Sequence, residues 1–360
     1  APPGVEARDR PSFRRTNWFA HVGTEARAVR AGAGLLELSS FSKYEVRGPG
    51  AAAFLDRLCA NRLPPPGRIV LSQLLNPRGT IESDVTVTRL QPERFLLVSA
   101  AVAELHDLDW LLRHAPADGT VVVENVTGRH GVLILAGPRS RDVLSRVTEA
   151  DLSNAAFPWL TVQEITVEHT PVRALRVNFV GELGWELHHP TEGQLGLYQA
   201  LKAAGGEFGI VDFGLRAMDS LRLEKGYRAW GADLNTEVTP LEAGLDRFVA
   251  FDKGEFIGRA ALLAQRRDGV RKRLATLDVA AVDADCWGHE PVRRDGRVVG
   301  ITTSGGYAHW LGKSLAVAYV EAGAALPGTR LEVEILGEWR SARVVAEPLF
   351  DPDNRRPRGC

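Results

Sequence analysis

Between Ile69 and Ser99, three apolar, β-branched runs at residues 69–75, 81–90 and 95–99 follow one another with only Pro77-Arg78-Gly79 and Gln91-Pro92-Glu93 between them. Connections that short join antiparallel neighbours, because a parallel pair needs a crossover of about a dozen residues or more. The same economy holds on either side. Tyr44-Glu45-Val46 alternates and stops at Gly48-Pro49-Gly50, and residues 51–58 then predict a helix with Phe54, Leu55 and Leu58 on one face. Pro64-Pro65-Pro66 breaks the chain before the meander. A helix over 101–114, strands over 121–126 and 131–135, and a helix opened by Gly137-Pro138 follow it. Strands do not alternate strictly with helices, which excludes a doubly wound sheet and predicts an α+β fold built on antiparallel sheets.

A chain of 360 residues is too long for one ordinary core and predicts two or three packed units. Residues 25–38 are compatible with a short amphipathic helix interrupted by Gly32 and Gly34. The middle repeats the mixture, with strands over 162–169 and 172–179 and helices over 193–204 and 212–226. From Arg273 onward, Gly-punctuated strand runs at 298–303, 315–320, 331–335 and 341–346 predict a closing β-barrel or sandwich. The charged run 266–273 between these parts predicts a solvated connector.

Several kinds of chemistry are excluded. Lys and Arg number 44 against 45 Asp and Glu, so a net charge of -1 provides no field that would gather nucleic acid. Cys59, Cys286 and Cys360 are far apart and form no Cys-x-x-Cys pair, which predicts a reducing, cytoplasmic setting without disulfides. No apolar run is long enough for a membrane span, and residues 1–15, rich in Arg, predict neither a signal peptide nor an anchor. There is no Rossmann glycine fingerprint for FAD or NAD, no phosphate loop and no His-Glu-x-x-His. The adjacent pair His188-His189 diverges on a strand, so no metal site is expected. Ser304-Gly305-Gly306 predicts a hairpin turn.

Three segments carry chemistry. From Thr80, alternation puts Ile81, Ser83, Val85 and Val87 on one face of a strand and Glu82, Asp84, Thr86 and Thr88 on the other. Asp is depleted in strands, so Asp84 is either a functional carboxylate or an edge residue in water. In residues 176–190, glycines at 181 and 184 flank Glu182 and allow a tight turn and close ligand approach. Trp185 beside Glu186 offers a flat surface next to a carboxylate, a pairing suited to a pterin whose 2-amino group and N3-H are adjacent donors. The alternative is packing and surface. In residues 213–259, Arg216, Asp219 and Arg222 lie three apart and can pair along a helix that ends at Gly226.

Together these segments resemble one family. Phe41 to Val46, Asn76 with Gly79 and Ser83-Asp84, Gly181 to Glu186, Ser220 to Gly226, Thr239 to Gly244 and Thr303 to Tyr307 occur in the order seen in the glycine-cleavage T-protein superfamily. The Glu224-Lys225-Gly226-Tyr227 and Ser304-Gly305-Gly306-Tyr307 variants are most similar to the dimethylglycine and sarcosine dehydrogenase branch. The resemblance implies a three-domain cloverleaf around a central folate channel. The implied units are residues 1–46 with 131–250, residues 47–130, a connector over 251–272 and a barrel over 273–360. It implies Asp84 as the catalytic aspartate and Glu186 as the carboxylate that grips the pterin, with Phe179, Leu71, Trp185, Arg222 and Tyr307 also at the tetrahydrofolate site. Leu71 and Phe179 stand where many relatives have tyrosines, which removes hydroxyl hydrogen bonds from that site, and Met218 replaces an arginine.

The implied activity is transfer of a one-carbon unit between a small methylated or aminomethylated donor and tetrahydrofolate, by a demethylase or aminomethyltransferase route. A separate flavoprotein would deliver the carbon, or the demethylation would be flavin-free. Two alternatives stand beside it: a non-enzymatic folate-binding maintenance protein, and a biosynthetic enzyme that has repurposed the folate site. The first relies on a cysteine where this chain has Glu255.

Overall fold

The computed structural model describes residues 8–359. Strand Ile81–Gln91 keeps the alternation read from its sequence, with Ile81, Ser83, Val85 and Val87 buried and Glu82, Asp84 and Thr86 half-buried. It is second in a five-stranded antiparallel sheet ordered Arg68–Leu75, Ile81–Gln91, Arg94–Ser99, Ser42–Arg47 and Val122–Asn125. One face of this sheet closes Tyr44, Val46, Val85, Val87, Phe95 and Leu97 over Phe54, Leu55, Leu58 and Leu111 of two helices, Ala51–Leu58 and Glu104–His114. Residues 54, 55 and 58 fall on one stripe of a 3.6-residue helix, and burying that stripe holds so short a helix in place. The opposite face carries Leu71, Thr86, Val98 and Lys43 in one register row, and Gln73 against Asp84 in another.

A six-stranded sheet is ordered Val211–Asp212, Gly34–Glu37, His130–Ala136, Gly184–Pro190, Thr170–Leu175 and Val162–Val167. Its outer face buries Leu35, Leu133, Leu135, Trp185 and Leu187 beneath helices Ser140–Leu144 and Gln194–Gly205. The inner face places Leu36, Ile134 and Glu186 in register, with Leu36 and Ile134 packed on Ala26 and Val29 of helix Phe19–Ala31 and on Ala217 and Leu221 of helix Leu215–Lys225. Phe41 packs against this cluster and also against Leu96 and Val98 of the first sheet, so the two inner faces meet there. The expected boundary at 46/47 falls inside strand Ser42–Arg47, which pairs wholly within the five-stranded sheet.

The third unit is a closed six-stranded barrel, in the order Lys272–Val279, Lys313–Glu321, Arg297–Ala308, Pro291–Arg294, Arg330–Ile335 and Glu338–Val345. One apolar cluster takes Leu75 and Ile81 from the five-stranded sheet, Leu223 from helix Leu215–Lys225, and Leu274, Val317 and Tyr319 from the barrel. The three units therefore close around a shared centre, as the cloverleaf expectation requires.

Local expectations differ in four places. The first helix is Phe19–Ala31, earlier than the expected 25–38, and residues 34–37 are a strand because Gly32 ends the helix. Strand Thr170–Leu175 stops before the expected residue 179, where the chain turns towards Gly181. The charged run 266–273 begins within helix Arg259–Asp268, which buries Leu262, and ends within strand Lys272–Val279. Ser304-Gly305-Gly306 is no hairpin turn: it lies inside strand Arg297–Ala308, and a Cβ at Gly305 would come within 2.6 Å of Cys286 Cβ. The glycine there permits close packing, not chain reversal.

Candidate folate site

Asp84 sits mid-strand on the inner face and accepts a 2.8 Å hydrogen bond from Gln73 Nε2, its register partner. Burial pushes its carboxyl up to about 6; Gln73 opposes the shift and the nearby Asp107 carboxylate adds to it. Gln73 Oε1 is buried with no hydrogen-bond partner. Behind the strand, Ser83 Oγ donates to Asp107 at 2.8 Å, and His106 lies 3.1 Å from both Asp107 and Glu82. Asn76 Nδ2 holds the other oxygen of Glu82 at 2.7 Å. The two residues that precede Asp84, Glu82 and Ser83, are thus tied down, which fixes the strand where its carboxylate projects. Leu71 lies half-buried on the same face as Asp84, in register with Thr86.

The opposing wall is the inner face of the six-stranded sheet. Period-two alternation brings His188 to the face of Glu186, and their side chains lie 3.3 Å apart, Nε2 to Oε2. Burial lowers the pKa of His188, so the ring is neutral at neutral pH and must carry its proton on Nε2 to donate to the carboxylate. Its Nδ1 is then a buried acceptor without a partner. Lys43 enters from the first sheet, fully buried, with its ammonium donating to Ser39 O at 2.8 Å and Phe41 O at 2.7 Å.

The remaining expected residues divide. Trp185 is a correction: it points to the outer face, where it is fully buried edge-on to Phe157 at 6.0 Å, because neighbours on a strand face opposite ways. It offers no surface beside Glu186. Arg222 is also a correction, since its guanidinium is consumed by Asp219 and Asp233, each at 2.6 Å, and by Tyr227 O at 3.2 Å. Asp233 in turn accepts from Thr303 and Ser304, so this pair fastens the helix to the barrel. Arg216, expected to share in that pairing, binds Asp9 instead. The turn at Gly181 makes room for Lys225, not a ligand, because a Cβ there would meet Lys225 Cγ at 2.6 Å. Glu182 beside it is buried in ion pairs with Arg30 and Arg356.

Phe179 stacks on Tyr227 with centroids 5.7 Å apart, and burial pushes the Tyr227 hydroxyl up to about 12. Tyr307 lines a pocket of about 160 Å³ with Arg15, Trp18, Phe19 and Trp287, whose lining includes neither Asp84 nor Glu186. The Arg15 guanidinium already lies over the Tyr307 ring at 4.4 Å. Met218 is half-buried against the cluster that includes Phe41. Among the described residues no group of three His, Cys, Asp or Glu is placed to hold a metal, and no helix is long and apolar enough to cross a membrane.

Sequence reasoning missed Gln73, Lys43, His188 and Asp107 as members of the site. Alternation from Asp84 and Glu186 and the pairing of adjacent strands could have found Gln73 and His188.

The sequence matches the GCVT N-terminal domain family over residues 5–253 and the glycine cleavage T-protein C-terminal barrel domain over residues 272–351. The chain belongs to the glycine-cleavage T-protein family. Tetrahydrofolate is the one-carbon carrier of that family. The chain is 43% identical over 358 residues to mitochondrial dimethylglycine dehydrogenase of Mus musculus, covering 99% of this chain and 41% of that protein. It therefore spans less than half the length of that relative. An aminomethyltransferase of Moorella thermoacetica is 34% identical over 343 residues, 94% of this chain and 91% of the relative. The solved structure of aminomethyltransferase T from Bartonella henselae superposes with a TM-score of 0.84 at 26% identity, covering 96% of this chain and 94% of that one. The α+β cloverleaf with its C-terminal barrel is thus the T-protein fold, and the chemistry of this family is folate-dependent one-carbon transfer.

Proposed function

We propose that this chain transfers a one-carbon unit between a small methylated or aminomethylated donor and tetrahydrofolate held between the two inner sheet faces, with Asp84 as the catalytic residue and Glu186 as the pterin anchor. The observation that carries the reading is Asp84 itself, a half-buried mid-strand carboxylate pushed up to about 6, which suits proton exchange near neutrality. The residues present fit the carrier. Glu186 has one neutral donor in contact, and Gln73 Oε1 and His188 Nδ1 are buried acceptors without partners that a donor-rich heterocycle would satisfy.

When bound, tetrahydrofolate supplies the nucleophilic nitrogens that take up the carbon. Glu186 would accept from the adjacent 2-amino and N3-H donors of the pterin, and His188 would hold that carboxylate in line. Asp84, ionised at pH 7, would take up a proton released in the transfer, while Gln73 keeps the Asp84 carboxylate pointed into the cleft. Leu71 and Phe179 contribute apolar walls that exclude water. Trp185 and Arg222 act at a distance by fixing the sheet and the barrel, and Tyr307 belongs to the neighbouring pocket.

The proposed donor is a methylated amine, as the name of the Mus musculus relative suggests, and the proposed source of oxidised carbon is a flavoprotein partner or module. The proposed compartment is a reducing one, consistent with free, buried Cys59 and Cys286, and the animal relatives bear mitochondrial names. The three sheets mark the proposed domains, with the first break before Ser42.

Glu186→Gln tests the anchor. A hydrogen bond to a charged partner contributes roughly 1.5 to 3 kcal/mol, so affinity for tetrahydrofolate by calorimetry drops about tenfold or more. Equal affinity in wild type and variant removes Glu186 from the site.

A further inference from the structure

Tyr307 and the two glycines before it line a cavity of about 160 Å³ that the folate assignment does not use. It lies where the start of helix Phe19–Ala31 and the segment before it meet helix Leu215–Lys225 and the barrel. A site for a drug-sized ligand runs to about 300 to 1,000 Å³, so this cavity takes only a small molecule. The backbone N–H of Arg15 donates to Asp283 O at 3.1 Å, which docks the leading segment on the barrel loop that carries Asp285. Ser220 Oγ donates to Tyr307 O at 2.8 Å and fastens helix Leu215–Lys225 to strand Arg297–Ala308. The walls are therefore fixed to one another.

Two charged side chains of this cavity, both largely buried, are left short of hydrogen bonds. Arg15 Nε and Asp285 Oδ1 are buried without a partner among the described residues. The two groups attract each other, but Nε lies 3.6 Å from Asp285 Oδ2, beyond hydrogen-bond length. The other charges on the wall are engaged elsewhere: Asp219 with Arg222 at 2.6 Å, Arg216 with Asp9 at 2.7 Å, and the exposed Arg14 with Asp283 at 3.9 Å. His309 adds no charge at neutral pH, because burial, helped by Arg27 and Arg15, pushes its ring down to about 4. The aromatic faces divide in the same way. Arg15 lies over Phe19 at 4.2 Å and over Tyr307 at 4.4 Å, and Arg216 lies over Trp18 at 3.8 Å. Trp287, two residues from Asp285 and 68% exposed, has no cation over it among the described residues.

A guanidinium is the best-matched donor for a carboxylate, an unpartnered carboxylate oxygen calls for an ammonium, and a bare indole face attracts a methylated ammonium. An α-amino acid carries its carboxylate and its ammonium on one carbon, which suits two protein groups of opposite sign as close together as Arg15 and Asp285. We propose that this cavity is a second ligand site, for a small N-methylated amino acid: its carboxylate on the Arg15 guanidinium, its ammonium on Asp285 and its N-methyl groups against Trp287. A methylated amine held there is of the class proposed as carbon donor. The site is independent of the roles given to Asp84 and Glu186, neither of which lines it.

The experiment is calorimetric titration of N,N-dimethylglycine into wild type, Arg15→Lys, Asp285→Asn, Trp287→Ala and Glu186→Gln, with thermal unfolding of each protein recorded in parallel. Two isosteres probe the halves of the ligand: 3-methylbutanoate, in which a CH replaces the ammonium, and N,N-dimethylisobutylamine, which lacks the carboxylate. Wild type is expected to bind dimethylglycine about tenfold or more tightly than either. Arg15→Lys keeps the charge without the forked donor, and Asp285→Asn keeps an acceptor without the charge, so each is expected to weaken dimethylglycine by about tenfold. Trp287→Ala removes an exposed ring, so it leaves folding intact, and it is expected to erase the preference for dimethylglycine over glycine. Glu186→Gln is expected to bind dimethylglycine as wild type does. A wild type that takes up no dimethylglycine, or that binds 3-methylbutanoate equally well, overturns the proposal and leaves Asp84 and Glu186 untouched. Full affinity in folded Arg15→Lys and Asp285→Asn overturns it too, by putting the amino acid elsewhere. Displacement of dimethylglycine by tetrahydrofolate, with Arg15→Lys weakening both, would give the cavity to the carrier and would equally overturn it.

Discussion

Replacing Asp84 by Asn should make the protein more stable while making it a worse enzyme. The carboxyl is raised from 3.8 to about 6 by burial, roughly two units at about 1.4 kcal/mol each. A group whose folded-state pKa lies above its unfolded value binds its proton more tightly in the native state, so stability falls as pH rises from the unfolded to the folded pKa. At pH 7 the ionised carboxylate therefore costs the native state about 3 kcal/mol, shrinking to about 1.5 kcal/mol at pH 5. Partial solvent access to Asp84 makes both figures upper bounds. Asn carries no charge and can still turn its carbonyl to Gln73 Nε2, so Asp84→Asn recovers most of that cost. Urea unfolding of both proteins at pH 7 and pH 5 reads the difference. A variant no more stable than wild type at pH 7, or a gain that does not shrink on acidification, would refute the picture of a desolvated carboxylate held ready for proton transfer.

Two further outcomes follow from the geometry. Turnover should fall as pH drops through about 6, because Asp84 must be ionised to accept a proton, and Asp84→Asn should lack that acid limb in a pH–rate profile. Trp185→Ala should lower stability by about 3 to 5 kcal/mol in urea unfolding, the cost of an aromatic-sized cavity, with tetrahydrofolate affinity unchanged in the folded protein; the opposite pattern would return Trp185 to the ligand.

The fold was legible where periodicity was clean. The meander from Arg68 to Ser99 and the helix Ala51–Leu58 are where short connections and a single apolar stripe put them. Strand Lys272–Val279 was obscured because it opens in Arg271-Lys272-Arg273, whose charges read as linker, and strand Pro291–Arg294 because only Val292 of its four residues is buried. The site was half legible. Asp84 stands out as a carboxylate inside a strand and Glu186 by its place beside Trp185 and by the family resemblance, but adjacency on a strand means opposite faces, so Trp185 turns away from the site. Arg222 looked available because its partner Asp233 lies eleven positions away, beyond any helix-spacing rule.

The central claim, that Asp84 moves the proton while Glu186 holds the carrier, is tested most directly by one paired measurement on Asp84→Asn. The folate dissociation constant is taken from calorimetry. The rate at which isotopically labelled carbon from a methylated-amine donor, supplied with its flavoprotein oxidase, appears on tetrahydrofolate is taken from mass spectrometry. The account predicts a dissociation constant within about twofold of wild type and a transfer rate lower by roughly a hundredfold or more. Transfer at the wild-type rate would contradict it, as would loss of folate binding in a variant that remains folded.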